Sequence, residues 1–237
     1  MPPRPGQQNS GIIRALSDSG ISVAAAKPYR ILIVDDHALM REGIKHILAK
    51  VAGIQVAGEA DSSRRAQQMT RQESWDLVLM DIDLPDRSGL ETLDLLKKEQ
   101  PELKILMLSM QRESHYAVRA LKSGAAGYLN KRCTTDQLVE AIRLTASGKK
   151  YISAEVAQEL ANTISGERDG LPHETLSNRE FQTLHMIASG LPVSVIAEKL
   201  LLSVKTVSMY RARLLKKMQL KNNAELTHYA FKHNLLG

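Results

Sequence analysis

From Tyr29 onward the chain alternates short apolar runs with longer stretches in which apolar residues recur every three or four positions. The first run, Ile31-Leu32-Ile33-Val34, is β-branched and uninterrupted, the pattern of a strand buried on both faces of a parallel sheet. Four further runs have strand character: Gln55 to Ala60, Leu77 to Met80, Ile105 to Leu108 and Gly127 to Leu129. Between and after them the helical period predicts helices near 38–50, 62–72, 89–99, 114–122 and 134–147. Five strands alternating with five helices predict a three-layer α/β domain over 29–149.

The pattern changes after Gly148. Residues 154–164 read as a short helix, and Ser165 to Pro172 interrupt it with Gly, Pro and charge, so 150–172 is expected to be a linker carrying one helix. The remaining segment, 173–237, has no strand candidate and reads as four helices near 177–189, 192–200, 204–219 and 223–234. Residues 1–28, with Pro2, Pro3 and Pro5 and no sustained period, are expected to be a disordered extension with a brief helical turn at Gly11 to Leu16.

Composition adds limits. The 237 residues suit two domains, and 43% hydrophobic content is enough for two cores. The single cysteine, Cys133, excludes an internal disulfide and a thiolate metal cluster and points to a reducing, cytoplasmic compartment. No apolar run approaches the roughly 20 residues needed to span a bilayer, and the N-terminus lacks a charged segment followed by an apolar stretch, so neither membrane insertion nor secretion is expected. The formal net charge of +6 is uneven: residues 173–237 hold 9 Lys and Arg against 4 Asp and Glu, whereas 29–149 hold 18 against 17. The C-terminal quarter carries the footprint of a phosphate-binding surface, although a merely solvated basic face has the same composition.

In a parallel α/β sheet, ligands bind in the crevice outside the carboxyl ends of the strands. Just past the apolar runs stand Asp35 and Asp36 after the first, Asp81 after the third, Ser109 after the fourth and Lys131 after the fifth. Carboxylates brought together raise each other's pKa unless a cation neutralises them, and hard oxygen ligands suit Mg²⁺. With Mg²⁺ held by Asp36, Asp81 and a main-chain carbonyl, one oxygen of Asp81 can attack a phosphoryl group whose charge the metal and Lys131 neutralise. In the structural alternative, Asp35 or Asp36 caps the helix starting at Ala38, worth about 0.5–2 kcal/mol. That alternative accounts for one acid, not for five polar residues at four strand ends followed by the turn residues Pro85 and Gly89.

On these residues, 30–147 resembles the receiver domain of two-component response regulators, a flavodoxin-like fold. The resemblance implies that Asp35 and Asp36 are the acidic pair, Asp81 the phosphoacceptor, Ser109 and Lys131 its hydroxyl and ammonium partners, Asp83 a metal ligand through its carbonyl, and Tyr128 the switch aromatic. It implies Mg²⁺ as cofactor, phosphoryl transfer from a sensor histidine kinase or phosphotransfer protein, and a domain that catalyses only its own phosphorylation and dephosphorylation. After phosphorylation the Ser109 hydroxyl would move to the phosphoryl group and Tyr128 would turn inward into the space it leaves. Two departures stand out. Asp83 occupies a position where relatives often have a neutral residue, so metal affinity and phosphoryl lifetime are expected to differ. Arg132 follows Lys131 where an acidic residue or Pro is common.

In the C-terminal segment, Ser177 followed by Glu180 has capping-box spacing, and Ser189-Gly190-Leu191-Pro192 closes one helix and starts the next. The helix beginning near Ser203 directs Val207, Leu214 and Met218 to one face and Lys205, Ser208, Met209, Ala212 and Lys216 to another. Arg211, Arg213 and Lys217 add charge for phosphates, and the slender residues at 208 and 212 suit a major groove about 12 Å wide. The run Leu-Ser-Asn-Arg-Glu at 176–180 and the run Leu-Ser-Val-Lys-Thr-Val at 202–207 make 176–234 resemble the LuxR-type helix-turn-helix domain of NarL/FixJ response regulators.

That likeness implies double-stranded DNA with an inverted repeat as partner, backbone contacts from Lys205 and Thr206, base contacts from Ser208, Met209 and Ala212, and a homodimer when phosphorylated. In unphosphorylated relatives the receiver can also cover the recognition helix, so phosphorylation of Asp81 is expected to release residues 176–234 through the 165–172 linker. A small basic helical bundle that docks protein, and a phosphohydrolase with an acidic metal pocket, are the competing readings of the two halves.

Overall fold

The computed structural model describes residues 27–110, 113–164, 171–233 and 235–236. The extension expected at 1–28, including the turn at Gly11 to Leu16, lies outside the described residues except for Lys27 and Pro28, as does linker segment 165–170.

Five parallel strands, β1 (Tyr29–Val34), β2 (Ile54–Ala60), β3 (Leu77–Asp81), β4 (Ile105–Ser109) and β5 (Gly127–Asn130), form one sheet in the order β2-β1-β3-β4-β5. Helices α1 (Ala38–Leu48), α2 (Ser63–Gln72), α3 (Gly89–Glu99), α4 (Glu113–Lys122) and α5 (Thr135–Ala146) alternate with the strands, as the sequence period predicts. Side chains alternate along a strand, so the same apolar runs feed two cores. Leu32, Val34, Val78, Met80, Met107 and Tyr128 face α2, α3 and α4, while Ile31, Ile33, Leu77, Leu79, Leu106, Leu108 and Leu129 face α1 and α5. Each such Leu or Ile gains about 1.5–3 kcal/mol over its exposed state. Double-sided burial is why the strands are unbroken apolar runs.

The chain leaves β1 toward β2 on one side and then crosses to β3 on the other, which opens a crevice at the carboxyl ends of β1 and β3. At this edge the strands run one residue further than their apolar runs: Asp81 pairs with Leu108, and Ser109 with Asn130. The parallel ladder uses backbone groups only and continues through polar side chains. Residues 82–88 then fold back so tightly that the Gly89 N–H donates to the Ile82 carbonyl at 2.7 Å.

Beyond the sheet, α6 (Ala154–Ile164) packs on α4. A 3-10 turn (Pro172–Thr175) leads into α7 (Asn178–Ala188), α8 (Val193–Lys199), α9 (Val204–Met218) and α10 (Asn223–Lys232). Ser177 and Glu180 form both bonds of the capping box. Ser203 and Asn222 cap α9 and α10 by accepting from Thr206 and Glu225 N–H groups. The helical part packs on the α/β part through α7: the Phe181 ring lies edge-on to Tyr116 at 5.2 Å and under the Arg119 guanidinium at 4.1 Å. Among the described residues, no helix is long and apolar enough to cross a membrane.

A Cβ at Gly89 would lie 1.9 Å from the Asp81 carbonyl oxygen, whereas one at Gly43 would meet nothing within 4 Å. Gly89→Ala is therefore expected to cost about 1–3 kcal/mol, and Gly43→Ala, inside a helix, to be neutral or stabilising. Thermal melts of the two variants check this; equal melting temperatures would refute it.

Candidate functional site

The crevice brings together the acids that the chain separates by more than forty residues. Asp35 follows β1 and is buried, Asp81 ends β3 and is buried, and Lys131 follows β5. The Lys131 Nζ lies 2.7 Å from Asp35 Oδ2 and 2.8 Å from Asp81 Oδ2. Two buried carboxylates are thus left with one ammonium between them. Asp36 is partly exposed, and His37 Nδ1 reaches its Oδ1 at 2.6 Å. One ligand atom from each of Asp35, Asp36, His37 and Asp81 lies within 4.8 Å of all the others. Three carboxylates, two of them buried, and one ammonium leave a net negative, oxygen-rich site, the donor set a hard divalent cation requires.

The helix-cap explanation of the acid pair is set aside by the local geometry. The N-cap of α1 is His37, whose side chain makes no cap bond. Asp35 Oδ1 accepts the His37 N–H at 2.8 Å, but its other oxygen is directed to Lys131. Arg41 Nη1 donates to the Asp35 carbonyl at 2.6 Å and fixes the loop from behind.

Burial pushes the Asp81 carboxyl up to about 6, against the opposing pull of Lys131. Burial alone would lower the Lys131 ammonium, yet Asp81 and Asp35 hold it above its ordinary value. Burial also raises the Asp83 carboxyl, partly offset by a hydrogen bond from Gln182 Nε2 at 3.3 Å. Ser109 and Tyr128 are both fully buried, the first at the end of β4 and the second in β5.

The helix-turn-helix is formed by α8, the turn at Leu200–Ser203 and α9. Val207, Leu214 and Met218 are buried, and Lys205, Ser208, Met209, Ala212, Arg213 and Lys216 are exposed, with Thr206 and Arg211 half-buried. Two of the expected phosphate ligands are engaged elsewhere: Lys217 Nζ binds Glu180 Oε2 at 2.6 Å, and Arg211 Nε donates to Asn223 Oδ1 at 2.6 Å. The expectation that the receiver covers this helix is corrected by the packing. The helix docked on the α/β part is α7, because Phe181 supplies the apolar face that fits α4, while the polar face of α9 points to solvent.

Sequence reasoning missed His37, which directly follows the acid pair, and Asp86, whose carboxylate accepts the Ser63 and Arg64 N–H groups at 2.9 Å each and thereby caps α2. It also missed Gln182 and His185 of α7. Their approach to Asp83 depends on how the two parts pack, and no motif signals it.

Two families match the chain. Residues 31–143 match the response regulator receiver domain, and residues 174–230 match the luxR family of bacterial regulatory proteins. The chain is 40% identical over 206 residues to the response regulator UvrY of Escherichia coli strain K12, covering 86% of this chain and 94% of that protein. It is 37% identical over 208 residues to the response regulator GacA of Pseudomonas aeruginosa, covering 87% and 97%. Among solved structures, it resembles the RcsB response regulator of Salmonella typhimurium, in a study of conformational dynamism for DNA interaction, at 25% identity and a TM-score of 0.55 over 86% of this chain and 98% of that one. A LuxR-family two-component response regulator from Aurantimonas is similar at 32% identity and a TM-score of 0.55, covering 59% and 99%.

Because the folded Asp81 carboxyl holds its proton more tightly than the unfolded one, its contribution to stability is present at low pH and is lost as pH rises through about 6. In chelator, Asp81→Asn is expected to melt above the parent protein near pH 7 and to converge on it below about pH 3, where the carboxyl is protonated in both states. Adding Mg²⁺ at neutral pH should raise the melting temperature of the parent more than that of the variant. A gap in melting temperature that stays constant across this range would contradict the assignment.

Proposed function

Since the chain belongs to the two-component response regulators that join a receiver domain to a luxR-family DNA-binding domain, we propose that Asp81 is its phosphoacceptor and α9 the helix it lays in the DNA major groove. A chain of this family is a phosphorylation-dependent, DNA-binding transcription regulator. The two family matches support a division into an extension at 1–28, a receiver at 29–149, a linker at 150–172 and a DNA-binding domain at 173–237.

The observation that carries this reading is the buried bridge of Lys131 between Asp35 and Asp81, in which two buried carboxylates share one positive charge. Asp81 must be ionised to act as a nucleophile, and a carboxyl raised only to about 6 is mostly anionic at neutral pH. An Asp81 oxygen forms its bond to phosphorus as the P–N bond of a phosphohistidine on a sensor kinase or phosphotransfer protein breaks, and the released imidazole takes up a proton. Asp35, Asp36, Asp81 and the Asp83 carbonyl would hold Mg²⁺, which when bound neutralises the charge of the transferring phosphoryl oxygens.

Lys131 supplies a second fixed positive charge, and the Ser109 hydroxyl, one strand away, supplies a hydrogen bond to the phosphoryl group. Water later attacks the same phosphorus and restores the carboxylate. The receiver thus catalyses its own phosphorylation and dephosphorylation and turns over no external substrate.

On the DNA side, Lys205, Thr206, Arg213 and Lys216 contact phosphates, and Ser208, Met209 and Ala212 face the bases. With a hydroxyl and a thioether as its longest base-facing groups, α9 reads bases weakly, so DNA shape and phosphate contacts carry more of the binding. One helix-turn-helix covers a half-site, and two copies on an inverted repeat give useful affinity. Phe231, 76% exposed on α10, is an apolar anchor for that pairing. The setting is the cytoplasm, on nucleoid DNA.

Asp81→Asn is expected to abolish phosphate uptake from phosphoramidate, read as the loss of a mobility shift on a phosphate-affinity gel. It should also remove the gain in affinity for a promoter inverted repeat that the donor gives the parent chain; equal affinity of the two chains under donor would sink the proposal. Lys205→Ala is expected to reduce the slope of log affinity against log salt by about 1, measured by DNA titration at several salt concentrations.

A further inference from the structure

Beside the acidic site lies a cavity of about 400 Å³ whose walls come from both halves of the chain. Asp36, His37 and Asp83 line it from the receiver, and Gln182, His185 and Lys199 from α7 and α8. Asp36 and His37 also belong to the acidic cluster with Asp81, so this cavity adjoins the cluster, and α7 with α8 forms its facing wall.

That wall is held by directed contacts as well as by Phe181. Gln182 Nε2 donates to Asp83 Oδ1 at 3.3 Å, and Arg179 Nη1 donates to Gln182 Oε1 at 2.9 Å. The Arg179 Nε lies 3.3 Å from Glu91 Oε2, and Asn178 Nδ2 donates to Asp94 Oδ2 at 3.4 Å. Arg119 closes the far side by donating to the carbonyls of Leu176 and His173 at 2.8 and 2.5 Å. The base-facing residues of α9 stay exposed in this same conformation, so what closure restrains is access to the phosphorylation site.

A small phosphorylated molecule fits such a volume. A phosphohistidine on a protein brings its backbone with it, and one turn of a helix with its side chains occupies on the order of 500 Å³. We infer that α7 is a donor filter: the closed chain accepts phosphate from small donors, while a protein-borne phosphohistidine reacts only with the fraction of molecules in which α7 has lifted. Gln182, Arg179 and Arg119 set that fraction and so determine which donor the chain takes. The inference rests on the reading of Asp81 as the phosphoacceptor.

Phosphorylation of the full chain is timed with phosphoramidate and with a ³²P-labelled phosphohistidine phosphotransfer domain. Arg119→Ala and Arg179→Glu are expected to speed transfer from the protein donor about tenfold, the reciprocal of a parent open fraction of about one tenth, with phosphoramidate rates within about twofold. Adding Glu91→Arg to Arg179→Glu should return the slow protein-donor rate.

The opposite manipulation is a short bis-maleimide bridge between Asp94→Cys and Asn178→Cys in a Cys133→Ser background. It should stop transfer from the protein donor and leave the phosphoramidate reaction. Equal effects on both donors, or a bridged chain that still takes phosphate from the protein donor, would overturn the inference. Labelling of Asp81→Asn by either donor would instead overturn the acceptor assignment beneath it.

Discussion

The structure turns on one electrostatic constraint: Asp35 and Asp81, both buried, share a single ammonium at 2.7 and 2.8 Å. Two adjacent carboxylates in a low-dielectric crevice cannot both ionise without a counter-charge. Lys131 reaches them only because β5, two strands from β3, ends at the same edge of the sheet. The arrangement therefore needs a rigid parallel sheet with every strand in register. The doubly buried runs of β1, β3 and β4 supply it, because their apolar burial offsets the cost of desolvating three charges at their tips. Lys131 lowers the cost of the site without neutralising it, since two buried carboxylates share one positive charge.

The C-terminal domain divides its surface among three tasks, and the division follows from which helix faces are apolar. The inner faces of α7, α8, α9 and α10 make a small core around Phe181, Leu184, Ile196, Val207, Leu214 and Leu226. The second face of α7, with Arg179 and Gln182, closes on the receiver. That leaves the polar face of α9 exposed to solvent, with Lys217 withdrawn from it to neutralise the capping-box Glu180. A single helix, α7, thus touches the receiver near Asp83 and is tied through Lys217 to the carboxyl-terminal turn of α9, a short physical path between the loop after β3 and the helix-turn-helix.

Much of this was legible in the chain before any coordinates. The strand runs were legible because burial on both faces forces unbroken apolar stretches. The positions of Asp35, Asp36, Asp81, Ser109 and Lys131 were legible because a parallel sheet aligns strand ends wherever the runs stop. The Ser177 and Glu180 capping box and the buried stripe of α9 were legible because both are local, set by residues within two turns of one another. The pairing of Lys217 with Glu180 and of Arg211 with Asn223 was not, since each joins residues on different helices, and a basic side chain on a helix face reads the same whether it meets solvent, phosphate or a carboxylate.

What the sequence by itself determined is therefore the set of elements, their order and the chemistry at the strand tips, all of which depend on periodicity and on short-range spacing. The tertiary structure alone decided that α7, not α9, lies against the receiver, that Gln182 and His185 stand beside Asp83, and that Tyr128 is buried. Those outcomes depend on shape complementarity between surfaces far apart in the chain: an aromatic side chain at position 181 finds Tyr116 and Arg119 only after both halves have folded, and no local pattern encodes that meeting.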